Sequence, residues 1–208
     1  MVDDEMIAAI IDIVASRDAS VRERRKLDRE IRGVIDETYK RFKEYCVAIP
    51  ALTQGDSIEL LVSSWHPIVF LLHKLLMKDL EVHVGLGTGE IIIHNEMADD
   101  CDGPAFWNAR EALDEVKRLK HMKRPASFKI DENVSDNERT MIVNVVLLFT
   151  NLLSLSTTQL QYCFYYLWDK KQISEIAKAV KTTKGNVSRT LSKTPCYLLE
   201  EVMTFLGW

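Results

Sequence analysis

The chain has 208 residues, 47% apolar and 28% charged with both signs mixed, which supports real cores and argues against global disorder. No apolar run is long enough to span a membrane. Cys46, Cys101, Cys163 and Cys196 show neither a CxxC pair nor zinc spacing, so reduced, mostly buried thiols in a cytoplasmic protein are expected.

The first residues, MVDDEM, carry acids and no basic n-region, so a signal peptide is not expected. Met6–Ile13, MIAAIIDI, is an unbroken apolar run with one acid near its end and predicts a buried strand. Ser20 and Glu23 form a capping-box pattern. Leu27, Ile31, Val34, Ile35, Thr38, Phe42 and Tyr45 then repeat at helical spacing, predicting a long amphipathic helix. Its first residues, RERRKL at Arg22–Leu27, read most simply as a solvated face, with phosphate contact as the alternative. Val47–Thr53 and Ser57–Val62 predict two strands joined by a turn at Gln54-Gly55-Asp56. Ser63 or Ser64 is placed to cap a helix through IVFLLHKLLM.

Glu81–Gly87 and Glu90–His94 predict a further extended pair, broken at Gly87-Thr88-Gly89. The GLGTG run lacks the Lys-Ser/Thr of a phosphate loop and the dinucleotide spacing, so a hairpin turn is its ordinary reading. NEMADDCD at 95–102 predicts an acidic loop. Pro104 suits a first helical turn, with Phe106, Ala109, Leu113 and Val116 lining one face, and Ala126–Glu132 predicts a last strand. Residues 1–132 thus read as an α+β domain related to ferredoxin-like folds, with helices on one face of the sheet. Residues 133–154 form a connecting helix in this reading.

Residues 155–208 predict an all-α helix-turn-helix domain. Thr157 or Thr158 caps a first helix ending near Trp168. Ile173, Ile176, Ala177 and Val180 mark a short second helix, Lys181–Thr183 the turn, and Val187 and Leu191 anchor a third. On that third helix Thr183, Lys184, Asn186, Ser188, Arg189 and Lys193 fall away from the anchors, and these residue types contact base edges and phosphates. Charge agrees: residues 1–154 carry 20 Lys and Arg against 27 Asp and Glu, whereas residues 155–208 carry 7 against 4. The stretch resembles the region-4 helix-turn-helix of sigma factors through its Leu-Ser-x-x-Gln, Ile-x-Glu-Ile-Ala and Lys-Gly-Asn-Val-Ser-Arg-x-Leu pieces. The resemblance implies a DNA partner. The amphipathic tail ending in Trp208 predicts core packing or a dimer seam.

In the first domain, Asp12 closes the first strand and Asp56 sits at the hairpin tip. If those strands are neighbours, two hard carboxylate ligands meet at one sheet end and suit Mg²⁺ or Mn²⁺ carrying a nucleotide triphosphate. Asp12-Ile13-Val14, Gly55-Asp56, the strand-turn Val82–Glu90 and Gly103-Pro104-Ala105 with Asn108 and Arg110 resemble, in order, the motifs of class III nucleotidyl cyclases. That resemblance implies metal ligands at Asp12 and Asp56, nucleotide contacts at Gly55, Thr88 and Gly103, and catalytic roles for Asn108 and Arg110. In strict register, however, Trp107 and Glu111 stand where cyclases carry their catalytic Asn and Arg, and Leu52 replaces the adenine-selecting Lys. A palm-like domain followed by a helix-turn-helix, with the run DGPAFWNAREAL at Asp102–Leu113, resembles the SatD family. Two functions are therefore expected as alternatives. One is a DNA-binding transcriptional regulator, a homodimer by default, whose palm-like domain senses a nucleotide or dimerises. The other is a divergent metal-dependent nucleotidyl cyclase or transferase. No membrane partner is expected.

Overall fold

The computed structural model describes residues 6–14, 21–53, 57–119, 121–131 and 136–205. The expected Ser20 cap, the Gln54–Asp56 turn, Glu132 and Trp208 lie outside the described residues. Five strands form one mixed sheet: β1 (Met6–Ile13), β2 (Ala51–Leu52), β3 (Ser57–Val62), β4 (Val82–Gly89) and β5 (Ala126–Lys129), in the order β2-β3-β1-β4-β5. β1 runs antiparallel to both β3 and β4, and β5 joins β4 in parallel. The central place of β1 follows from its composition, because a strand buried on both faces needs a continuous apolar run rather than an alternating one.

Alternate residues of β1 enter different cores. Ile7, Ala9, Ile11 and Ile13 pack with α1 (Val21–Arg41) and α2 (His66–Leu76), whereas Ala8 and Ile10 pack with α3 (Pro104–Val116). The expectation of helices on one face is therefore corrected: both faces are covered. The reason lies in β4. Its Gly85 and Gly87 bring the strand backbone so close to α3 that a Cβ at Gly85 would fall 2.2 Å from the Ala109 carbonyl, and one at Gly87 would fall 2.3 Å from that of Ala105. Ala105, Ala109 and Ala112 keep the facing helix equally thin, and all three are buried. GLGTG is thus a cradle for a helix.

The turn expected at Gly87-Thr88-Gly89 is absent, since β4 runs straight through to Gly89. The strand expected at Glu90–His94 reduces to a single bridge between Ile93 and Asp102. Val47–Thr53 likewise shortens to Ala51–Leu52, where Pro50 has no N–H to give to a ladder. α2 begins without a Ser63 or Ser64 cap, and the Ser64 hydroxyl instead meets His66 Nδ1 at 2.6 Å.

Eight helices are present among the described residues, and the last five follow β5: α4 (Asp136–Leu153), α5 (Thr157–Leu167), α6 (Ile173–Ala179), α7 (Lys184–Leu191) and α8 (Cys196–Phe205). α5 is capped by Ser156, in a capping box with Gln159, not by Thr157 or Thr158. Leu160, Phe164, Leu167, Ile176, Ala177, Val187, Leu191 and Leu199 are buried in the same continuous cluster that lines the α1/α2 face of the sheet.

A latch joins the two regions. Trp168 Nε1 lies 3.1 Å from His73 Nδ1, and His73 Nε2 lies 2.8 Å from the Leu160 carbonyl. An indole N–H can only donate, so Nδ1 accepts and the proton on Nε2 is donated to Leu160. His73 is therefore a neutral imidazole, and burial holds its pKa down at about 4. Arg41, at the end of α1, donates to the Trp168 carbonyl at 2.6 Å. Cys101, Cys163 and Cys196 are buried, Cys46 is half-buried, and all four are free thiols. Among the described residues no helix is long and apolar enough to cross a membrane.

Candidate functional site

The residues singled out in the α+β region divide between the two ends of the sheet. At one end stands Asp12, paired in register with Ser57 on β3 and His83 on β4. Ser57 Oγ donates to Asp12 Oδ1 at 3.0 Å, and Lys117, just past the end of α3, places its ammonium 3.2 Å from Oδ2. His83 Nδ1 is 3.9 Å from Oδ2, beyond hydrogen-bond reach, and has no hydrogen-bond partner among the described residues. Asp56 and Gly55 lie outside the described residues; Ser57, next in sequence, is the direct partner of Asp12. No group of three or more His, Cys, Asp or Glu able to hold a metal occurs among the described residues. Further along the same face of β3, Glu59 carries a buried oxygen without a hydrogen-bond partner. Burial pushes its carboxyl above the usual range, and the charge of Arg110 opposes that shift.

At the other end, Thr88 near the close of β4 organises the head of α3. Its carbonyl accepts from Asn108 Nδ2 at 2.9 Å, and its hydroxyl oxygen accepts from the Asp131 amide at 3.1 Å. Gly103 precedes α3 with φ +151°, and a Cβ there would fall 2.7 Å from the Glu90 carbonyl, so a glycine lets the chain turn tightly into the helix. Asp102 Oδ1 accepts from Trp107 Nε1 at 3.1 Å and Arg110 Nη1 at 3.0 Å, and these two donors hold its carboxyl below the ordinary range. Pro104, Trp107, Asn108, Glu111, Lys129, Ile130 and Asp131 line a surface cavity of about 570 Å³. Trp107, 51% exposed, forms one wall with its ring edge fixed by Asp102. Lys129 is paired with Glu111 and, at 3.3 Å, with Glu115.

Thr88, Gly103, Asn108 and Arg110 thus gather around the head of α3, but Asp12 does not join them. Its neighbour on β4 is His83, five residues from Thr88, or about 16 Å along a strand. Within one chain, the expected metal end and the expected transition-state donors therefore face different ends of the sheet.

In the C-terminal region α6 and α7 meet across the turn Val180–Thr183, where Lys181 takes φ +55°. Thr183 Oγ1 caps α7 by accepting from the Asn186 amide at 3.2 Å, and Asn186 Nδ2 donates to Thr182 Oγ1 at 3.0 Å. Val187 and Leu191 are buried, while Thr183, Lys184, Asn186, Ser188, Arg189 and Lys193 are all exposed. Among the described residues, Lys184, Arg189 and Lys193 make no ion pair, in contrast to Lys170 with Glu200 and Lys171 with Asp169.

The SatD family model matches residues 6–189, from the first strand through the exposed face of α7. The chain belongs to the SatD family. The match covers the sheet, the α3 head and the α5–α7 helices together, so membership in SatD concerns the whole arrangement rather than one motif. A search of curated proteins finds no match.

Several contributors escaped sequence reasoning. Lys117 is 105 positions from Asp12, and Lys129 and Asp131 reach the α3 head only through the parallel pairing of β5 with β4. His73 did carry a signal, as a lone titratable ring within the apolar run IVFLLHKLL, but its Trp168 partner did not.

Proposed function

We propose that this chain is a DNA-binding transcriptional regulator in which α6, the turn and α7 act as a helix-turn-helix and α7 reads the major groove. The observation that carries the reading is the outward face of α7, where Lys184, Asn186, Ser188 and Arg189 stand exposed around the buried anchors Val187 and Leu191. Leaving Lys184, Arg189 and Lys193 without carboxylate partners on a chain of net charge −4 suits a surface whose counter-charges come from phosphate. The α+β part is, on this reading, a palm-type domain. Support comes from the strand order, with β1 between β3 and β4 and with α1 and α2 together on one face. It serves as a nucleotide sensor or a dimerising platform, and the cavity beside Trp107 and Asn108 is the place for a nucleoside-sized ligand. A homodimer suits palindromic operators, and Leu198 and Phe205, exposed on α8, offer a second copy an apolar surface.

The alternative of a metal-dependent cyclase or transferase draws less support. Lys117 supplies Asp12 with the positive charge a metal would bring, and Asn108 spends its amide on the Thr88 carbonyl. The test is a gel-shift series on fragments selected from random duplex DNA. Arg189→Ala should weaken binding by about 1–3 kcal/mol if the guanidinium reads a base, while Asp56→Ala leaves it unchanged. An Arg189→Ala variant that binds like wild type sinks the assignment of α7.

A further inference from the structure

α1 carries a second cationic surface, which the α7 reading does not use. Its first half contains Arg22, Arg25, Lys26, Arg29 and Arg32, all exposed. At 100° per residue these five fall within an arc of about 120°. They lie opposite the buried face formed by Ile31, Val34, Ile35 and Thr38. Lys26 reaches Glu30 only at 3.9 Å, and Arg32 is paired with Asp28 at 3.1 Å. Among the described residues, Arg22, Arg25 and Arg29 have no ion-pair partner, and Arg29 Nε turns back to the Arg25 carbonyl.

This arrangement opposes the stability of the helix that carries it. Cations are disfavoured at a helix N-terminus, where the macrodipole is already positive, and like charges three and four residues apart repel. The first turns of α1 nevertheless hold Arg22, Arg24, Arg25 and Lys26 against one acid, Glu23, in the net-acidic part of the chain. An anion laid along the stripe reverses both penalties at once. From Arg22 to Arg29 the stripe covers about 10 Å of helix, the axial length of about three phosphates on one DNA strand. Most of its cations are arginines, whose forked guanidinium matches a phosphate in two hydrogen bonds. The face has no apolar side chain to insert into lipid, because the apolar side of α1 is already buried against the sheet and α2. A helix that lies on a membrane needs that side free.

We propose that Arg22, Arg25 and Arg29 form a sequence-independent contact for the phosphodiester backbone of duplex DNA, separate from α7. The stripe lies about 18 Å or more along α1 from Arg41 and its Trp168 contact, so it adds a footprint rather than enlarging that of the C-terminal helices.

The experiment uses the full chain and a mixed-sequence duplex of about 30 base pairs, with Kd followed by fluorescence anisotropy between about 50 and 200 mM KCl. Arg22→Gln/Arg25→Gln/Arg29→Gln should weaken binding and reduce the slope of log Kd against log salt by about 2.7, at roughly 0.9 per phosphate. Across that range wild-type affinity then falls about 40-fold more than that of the variant. The same variant should melt at or above the wild-type temperature, because the removed charges oppose the helix dipole. A variant with wild-type Kd and slope overturns the proposal. So does a wild type with no duplex affinity, or a loss confined to phosphatidylserine-containing vesicles. A companion Lys184→Gln/Arg189→Gln/Lys193→Gln variant separates the two surfaces. If it binds like wild type while the α1 variant fails, the α7 reading falls and this one stands.

Discussion

Substituting Gly87 by alanine places a methyl group where the structure has none to spare. The added Cβ would meet the Ala105 carbonyl at 2.3 Å, the Ala109 amide nitrogen at 2.4 Å and Asn108 Cβ at 2.8 Å. Two of these three are helix backbone, which cannot rotate aside. An ordinary contact of about 3.5 Å therefore needs α3 to retreat by about 1 Å from the sheet, and overpacking of this kind costs about 1–3 kcal/mol. The sign is informative. In an ordinary strand Gly→Ala stabilises by about 0.5–1 kcal/mol, as is expected for Gly33→Ala in the exposed interior of α1, where an added Cβ has no heavy atom within 4 Å. At about 2–4 °C per kcal/mol for a chain of this size, Gly87→Ala should lower Tm by roughly 2–12 °C and Gly33→Ala should raise it by about 1–4 °C. Urea and thermal unfolding of both variants, without any nucleotide, check the pair. If Gly87→Ala is as stable as wild type, β4 and α3 are not in the close contact described, and the glycines must answer to a ligand instead.

The remaining predictions concern the latch and the cavity. His73 has a folded pKa of about 4 against about 6.5 unfolded, so the unfolded chain takes up the proton first as pH falls. Its contribution is complete above about pH 6.5 and is lost between there and about pH 4, about 3 kcal/mol in all. His66, held by burial at about 3, acts in the same direction. His73→Gln should shallow the stability decline measured by urea titrations across that window; an unaltered slope would mean His73 does not titrate as described. Trp168→Phe removes the donor to His73 Nδ1 and leaves a buried acceptor unpaired, which should cost about 1–3 kcal/mol in equilibrium unfolding near pH 7. If the Trp107 cavity takes a nucleotide, a thermal-shift screen with and without Mn²⁺ should reveal it, since a ligand at a hundred times its Kd adds about 2.7 kcal/mol. Trp107→Ala should abolish that shift, whereas a shift that needs Mn²⁺ and survives Trp107→Ala would return attention to the Asp12 end.

Much of the architecture was legible because it is written in short-range patterns. The apolar run of β1 announced a buried strand, and the spacing of Ile31, Val34, Ile35 and Thr38 specified the inward side of α1. Val187 and Leu191, four residues apart, told which side of α7 is buried and hence that Lys184, Asn186 and Arg189 face outward. Periodicity of this kind depends only on helix and strand geometry, so it survives without knowledge of neighbours. Where periodicity was ambiguous, tertiary contact decided. Gly87-Thr88-Gly89 has the composition of a turn, yet it continues β4 because α3 needs the space its missing side chains leave. Asp12 has the strand-end placement of a metal ligand in the sequence, and only the tertiary structure brings Lys117 beside it from the end of α3. The distance between Asp12 and the Thr88–Asn108 group has no local signature either, because it depends on which end of β4 each adjoins. The sequence by itself determined the kind and the facing of most elements, through the 3.6- and two-residue periods of backbone geometry. Only the tertiary structure decided which charges are neutralised, which glycines are occupied and which candidate residues meet, because those depend on partners as far as 105 positions away or more.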